Sequence, residues 1–233
     1  MLQELIDAGP LFLRGVGITI LYTLLAAVSA LVVSFVFGLL AMSRSTVVRG
    51  VTRAVVEFFR GTSLVVQLLW IFFVLPQLGL RFEAMAAATL AFALNFGAYG
   101  SEIVRGAVTS VPKAQWEATV ALGMGRVQRM RRVLMPQAIP EMIPPFGNLL
   151  VQILKSSSLL FIVGITDLTF EVNQLRFELG SLPAFGIALV VYFVLAQLLL
   201  AGMRFWENRA AAKVGRGPRA VTVTADPQAV AHT

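Results

Sequence analysis

Apolar positions run almost without interruption along this chain, and polar positions gather in a few short blocks. A helix rises about 1.5 Å per residue and the hydrocarbon core of a bilayer is about 30 Å thick, so a membrane span needs roughly 20 residues with few charges. Measured between charged residues, Arg14 to Arg44, Arg60 to Arg81, Glu83 to Glu102 and Glu178 to Arg204 meet that need, as does Met142 to Thr166 with one internal charge, Lys155. These stretches predict spans over about 15–42, 62–80, 84–104, 142–166 and 182–203. None alternates strictly as a membrane strand must, so the expected fold is an all-α membrane protein with five transmembrane helices.

The placement of lysine and arginine orients those spans. Arg44, Arg49, Arg53 and Arg60 follow the first, Arg105, Lys113, Arg126, Arg129, Arg131 and Arg132 follow the third, and Arg204, Arg209, Lys213, Arg216 and Arg219 follow the fifth. The opposite side holds only Arg14, Arg81 and Arg176 beside several carboxylates, which predicts an outside N-terminus and a cytoplasmic C-terminus. The acidic stretch from Met1 to Pro10 has no lysine-rich start, so the first span is expected to be retained rather than cleaved. The tail over 211–233 lacks periodic apolar positions and is expected to be disordered, leaving 1–210 as the membrane domain.

Composition narrows the chemistry. With 58% hydrophobic and 13% charged residues, the chain is far from the roughly one-quarter charged content of soluble domains. The net charge of +7 lies between apolar spans rather than on a soluble module, so lipid is the expected surrounding and nucleic acid is not an expected partner. There is no cysteine and the single histidine is His232, which excludes disulfides, thiol chemistry and a histidine-rich metal site.

The block over about 107–136 stands out because it is polar and basic between two apolar spans. Pro112 precedes Lys113-Ala-Gln-Trp-Glu117-Ala118-Thr119-Val-Ala-Leu122 and Gly123 follows, the punctuation of a short helix. A second basic helix from Arg126 to Met135 is expected to stop at Pro136, so that two helices meet at a glycine elbow. Ala118 and Gly123 permit close backbone approach, and Glu117 offers a charge to a partner's donor.

Glu117-Ala118-Thr119, Gly123, Val133, Met135 and Pro136 resemble the motif Glu-Ala-Ala, three residues, Gly, nine residues, Ile-x-Leu-Pro of permease subunits of ATP-binding cassette (ABC) importers. Thr119, Val133 and Met135 depart from it conservatively. The likeness narrows to the polar amino-acid uptake branch at Glu57-Phe-Phe-Arg60-Gly61-Thr62 through Gln67, where Ser63 replaces the usual proline, at Gly97-Ala-Tyr99 through Gly106, and at Lys155-Ser156-Ser157-Ser158. The resemblance implies the type I importer permease fold, with Glu117, Ala118 and Gly123 in a coupling helix that docks on an ATPase, and Arg126 and Pro136 completing that segment. It also implies a bacterial inner-membrane location, two ATPase copies that bind ATP and Mg, a second permease subunit (self or paralogue) and an external solute-binding protein. The absence of any Gly-Lys dipeptide rules out a phosphate-binding loop in this chain, so it is not expected to be an enzyme. Pro145-Phe-Gly-Asn148 and Asp167-Leu-Thr-Phe170 are similar to permeases for ectoine and hydroxyectoine, leaving those compounds open beside polar amino acids such as glutamine or histidine.

Polar residues inside spans are the path candidates. Lys155 at a span centre costs about 2.5 to 3.5 kcal/mol on insertion scales unless it pairs, snorkels or lines water. Two roles are open to it: structural pairing, for example with Glu102, or contact with substrate. Ser156 and Ser157 either bond back to the preceding turn or face a cavity, and Gln67, Asn95 and Tyr99 either bond between helices or line the path. Asn95 and Tyr99, four apart, share a helix face, while Glu102 and Arg105, three apart, are expected to pair structurally. The rival reading is an ATP-independent secondary transporter or small channel. It is disfavoured because no carboxylate falls deep inside a span.

Overall fold

The computed structural model describes residues 9–213, with side chains as far as Trp206, and every regular element among the described residues is helical. In chain order these are α1 (Gly9–Leu40), α2 (Thr46–Gly61), α3 (Leu64–Leu69), α4 (Ala84–Thr109), α5 (Lys113–Ala121), α6 (Arg126–Arg129), α7 (Met135–Ser156), α8 (Leu168–Leu179) and α9 (Ser181–Lys213). The last helix already includes 211–213, and the tail at 214–233 lies outside the described residues.

The main seam joins α1 to α4. Lipid is as apolar as leucine, so membrane helices associate through close packing of small residues. Here Ala26, Ala30, Ser34 and Gly38 repeat every fourth residue on the buried face of α1. They meet Gly97 and Gly100 of α4, where a Cβ on Gly97 would stand 2.5 Å from Val33 and one on Gly100 would collide with the Ser34 hydroxyl. The hydroxyls of Thr23 and Ser34 donate to the carbonyls of Thr19 and Ala30 at 2.7 and 2.6 Å, so neither is left unbonded in the seam. Gly100→Val is therefore expected to lower the thermal midpoint of the detergent-solubilised protein clearly, since overpacking costs about 1–3 kcal/mol. Gly106→Ala, with open space around the added carbon and a better helix former in place of glycine, should not lower it and should raise it slightly. Equal midpoints for both variants would contradict the seam.

Among the described residues, three helical stretches are long and apolar enough to cross a membrane: Gly9–Leu40, Arg126–Val163 and Ser181–Trp206. The expected second span, 62–80, begins at a sharp bend and is not one regular α-helix. Thr46–Gly61 and Leu64–Leu78 meet at 102°, and would make a fourth crossing if they traverse as one. Past α3 the chain passes through a π turn, Trp70–Val74, and a 3-10 turn, Leu75–Leu78. The small and polar residues of α4 keep it outside that group, although its 26 residues extend about 39 Å.

Three further expectations are corrected. The basic helix does not end at Pro136, because a π turn at Met130–Leu134 links α6 directly to α7, with the Met135 N–H donating to the Met130 carbonyl. That widened turn takes up the ladder bond a proline cannot make, and α7 continues through Pro140, Pro144 and Pro145. The fourth span is likewise not one α-helix to Thr166. It tightens into a 3-10 stretch at Ser157–Val163 and stops at Gly164, whose φ is +80°. The elbow also begins later than Ala107, since α4 runs to Thr109 and Ala107 and Val108 pack with Val111, Leu134 and Met142.

The stretch after Gly164 folds into α8, an element the apolar pattern does not announce. Asp167 caps it, its Oδ1 accepting from the Phe170 N–H at 2.9 Å. The Leu168 N–H donates to Thr19 Oγ1 of α1 at 3.0 Å, and Tyr192 of α9 donates to Asp167 Oδ2 at 3.4 Å. Burial pushes the Asp167 carboxyl above its ordinary pKa, an effect these hydrogen bonds oppose.

Candidate functional site: an exposed elbow and a polar helix face

The elbow is built from a helix that ends on glycine. Gly123 has φ +66°, a conformation other residues adopt only at a cost. Its N–H donates to the Val120 carbonyl at 2.9 Å and the Met124 N–H reaches back to Thr119 at 3.1 Å, so the last carbonyls of α5 are satisfied. The inner side of α5 is anchored by buried Thr119 and by Trp116, which packs on the Val104 cluster. The outer side presents Glu117 and Ala118, with Val120 57% and Leu122 73% exposed. Val127 of α6 is 80% exposed beside them. Exposed aliphatic residues grouped around one carboxylate form a surface suited to a protein partner.

Lys113 lies 3.6 Å from Glu117, with both side chains largely in solvent, so this pair contributes little. Arg126 donates to the Met42 carbonyl at 2.5 Å and ties the elbow to the end of α1. Arg105 donates twice to Glu102 Oε2, at 3.0 and 2.6 Å. That pair stiffens the last turns of α4 above the elbow. Pro136 is exposed at the head of α7.

Asn95 and Gln67 serve the broken helix. The Phe59 carbonyl, near the end of α2, accepts from Gln67 Nε2 at 2.9 Å and from Asn95 Nδ2 at 3.0 Å. Asn95 also donates to Gln67 Oε1 at 3.2 Å, and Gln67 Nε2 reaches the Thr62 hydroxyl at 2.5 Å. Both side chains are buried and bonded, and Gln67 also lines a cavity of about 380 Å³ beside Trp70. Tyr99 is 39% exposed, donates to the Arg60 carbonyl at 3.1 Å and lies under the Arg60 guanidinium. The three residues thus replace the ladder bonds lost at Thr62–Ser63.

The polar groups that do face outward lie on α7. Lys155 is exposed and, among the described residues, its ammonium has no ion-pair or hydrogen-bond partner, Glu102 being taken by Arg105. Asn148 and Gln152 are exposed and unbonded on the same terms. Spaced four and three apart, the three residues share one helix face, while Leu149, Ile153 and Leu154 pack inward. Ser157 is buried and donates to the Leu154 carbonyl at 2.7 Å, and Ser156 is half-buried beside it. Sequence reasoning missed Gln152, although its spacing from Lys155 in an apolar run was the available signal.

A bundle of bilayer-length helices with one polar face, continuous with an exposed elbow between two of them, defines a membrane permease subunit. The chain belongs to the family of binding-protein-dependent transport system inner membrane components, whose model matches residues 30–211. It is 44% identical over 207 residues to a probable amino-acid ABC transporter permease protein of Sinorhizobium fredii, covering 86% of this chain and 87% of that one. It is 33% identical over 203 residues to the glutamine transport system permease protein GlnP of Escherichia coli, covering 86% and 93%. Among solved structures, an amino acid ABC transporter with histidines superposes with a TM-score of 0.82 at 31% identity, over 89% of this chain and 97% of that one. Membership makes this a multi-pass, non-catalytic inner-membrane subunit and implies an ATPase partner and a second permease subunit.

Proposed function

We propose that this chain is one of two permease subunits that together enclose a path for a polar amino acid, moved into the cytoplasm by alternating access. The observation that carries the reading is continuity: α5, Gly123, α6, the π turn and α7 form one connected lever whose far end bears Asn148, Gln152 and Lys155. Five crossings are assigned, namely α1, the stretch from α3 through Leu78, α4, α7 with the 3-10 stretch after it, and α9, with the N-terminus outside and α2, α6 and the elbow on the cytoplasmic side. The lysine and arginine bias supports that orientation. The permease domain is 1–210 and the remainder is a cytoplasmic tail.

Glu117, Ala118 and Gly123 dock on one ATPase, a second copy serving the other permease subunit, and each ATPase holds ATP and Mg. A solute-binding protein delivers substrate from outside, where α8 is presented. Relatives named for glutamine and cystine transport support the amino-acid class. In the run that resembles ectoine permeases, Phe146 stacks on Phe35 at 6.4 Å and Gly147 lies against Met203, so packing accounts for part of that likeness.

The test is uptake of a labelled amino-acid panel into vesicles containing the chain, its ATPase and its binding protein. Accumulation that requires ATP is expected. Uptake that proceeds without ATP would favour the secondary-transporter reading, and none with any amino acid would remove the substrate class.

A further inference from the structure

A groove of about 710 Å³ opens where the last turn of α1 meets the π turn and the head of α7. Its floor is apolar, with Leu39 and Leu40 facing Met130, Met135 and Ile139. Its rim carries Ser43, Arg126 and Arg131, and no acidic residue lines it. Arg131 is exposed without a carboxylate partner among the described residues, and Arg126 places one nitrogen on the Met42 carbonyl, leaving the rest of its guanidinium open. The groove also has an approach from the bilayer. Val28, Val32, Val36 and Leu40, four apart on α1, form an exposed apolar track that ends in it.

We propose that this groove binds an anionic phospholipid of the cytoplasmic leaflet, one acyl chain lying along the α1 track and its phosphate held by Arg126 and Arg131. The argument is one of charge and depth. A guanidinium pair without a compensating acid suits a headgroup of net negative charge, and a zwitterionic headgroup would bring its own ammonium against the same two cations. The apolar floor directly below requires an occupant that is anionic at one end and hydrocarbon at the other. The site rests on the reading that this end of α1 is cytoplasmic. A lipid held here would brace the Arg126 tether between the first span and the elbow.

The complex of this chain with its ATPase is purified from vesicles of mixed phosphatidylglycerol and phosphatidylethanolamine, and the retained lipid is identified by mass spectrometry. Phosphatidylglycerol is expected to be enriched. Arg131→Gln should cut its retention roughly fivefold, the effect of one surface arginine on anionic lipid. Ile139→Trp, which fills the floor and leaves both arginines, should cut it as well, and continued co-purification of the ATPase would show that the variant is folded. Equal retention of the two lipids by the unaltered complex, unchanged phosphatidylglycerol in both variants, or a photo-crosslinker placed at Arg131 that reaches the ATPase instead of lipid would overturn the site. Lipid retention is read without transport, so its failure leaves the uptake test of the permease reading separate.

Discussion

Replacing Gly123 by proline is expected to abolish ATP-driven uptake while the membrane bundle still inserts and folds. Proline fixes φ near −65° and has no N–H, whereas Gly123 sits at +66° and donates to the Val120 carbonyl. The conflict costs about 3 kcal/mol or more, which shifts the population of formed elbows roughly a hundredfold. No other residue surrounds Gly123 closely, so the damage stays local to the α5–α6 corner. Gly123→Ala retains the donor and incurs only the left-handed penalty of roughly 1–2 kcal/mol, so it should reduce uptake far less. Vesicle uptake and ATPase co-purification are the measurements. Full uptake with proline at this position would end the assignment of the elbow as the coupling element.

Lys155→Met is the second large effect. Removing the charge eliminates an insertion cost of about 2.5 to 3.5 kcal/mol, so the variant should reach the membrane at least as well as the native chain. If the ammonium meets a substrate carboxylate, a charged hydrogen bond of about 1.5–3 kcal/mol is lost, and the substrate concentration for half-maximal uptake should rise roughly ten- to hundredfold. Lys155→Arg, which keeps the charge, should recover part of the effect. Uptake equal to the native protein in Lys155→Met would mean that the side chain snorkels to the membrane surface and takes no part in the path.

Gly123 and Lys155 both stood out in the sequence, whereas other parts of the fold did not. The elbow was readable because its signals are local: a proline before α5, a glycine after it, and a helix-forming run between. Apolar length likewise announced the long helices, since lipid imposes a simple threshold. The break at Thr62–Ser63 was not readable, because what sustains it is a pair of amides 28 residues apart in sequence, Gln67 and Asn95, converging on the Phe59 carbonyl. Those amides drew attention as path residues because a polar group in an apolar helix needs a partner, and each of them finds one within the protein. Pro136 misled in the other direction. Proline normally stops a helix, but the preceding π turn allows α7 to run on. α8 escaped notice because its first turn is held from distant helices, Thr19 accepting from the Leu168 N–H and Tyr192 donating to Asp167.

The glycine and alanine seam between α1 and α4 has a mechanical meaning. Two helices whose backbones touch through small residues cannot slide without vacating contacts all along their length, and cannot part without exposing Ser34 to the gap. They must travel as one stiff plate. A swing delivered through the elbow, as proposed, would be taken up at the break at Thr62–Ser63 and the widened turn at Met130–Leu134, which flank a plate that does not bend.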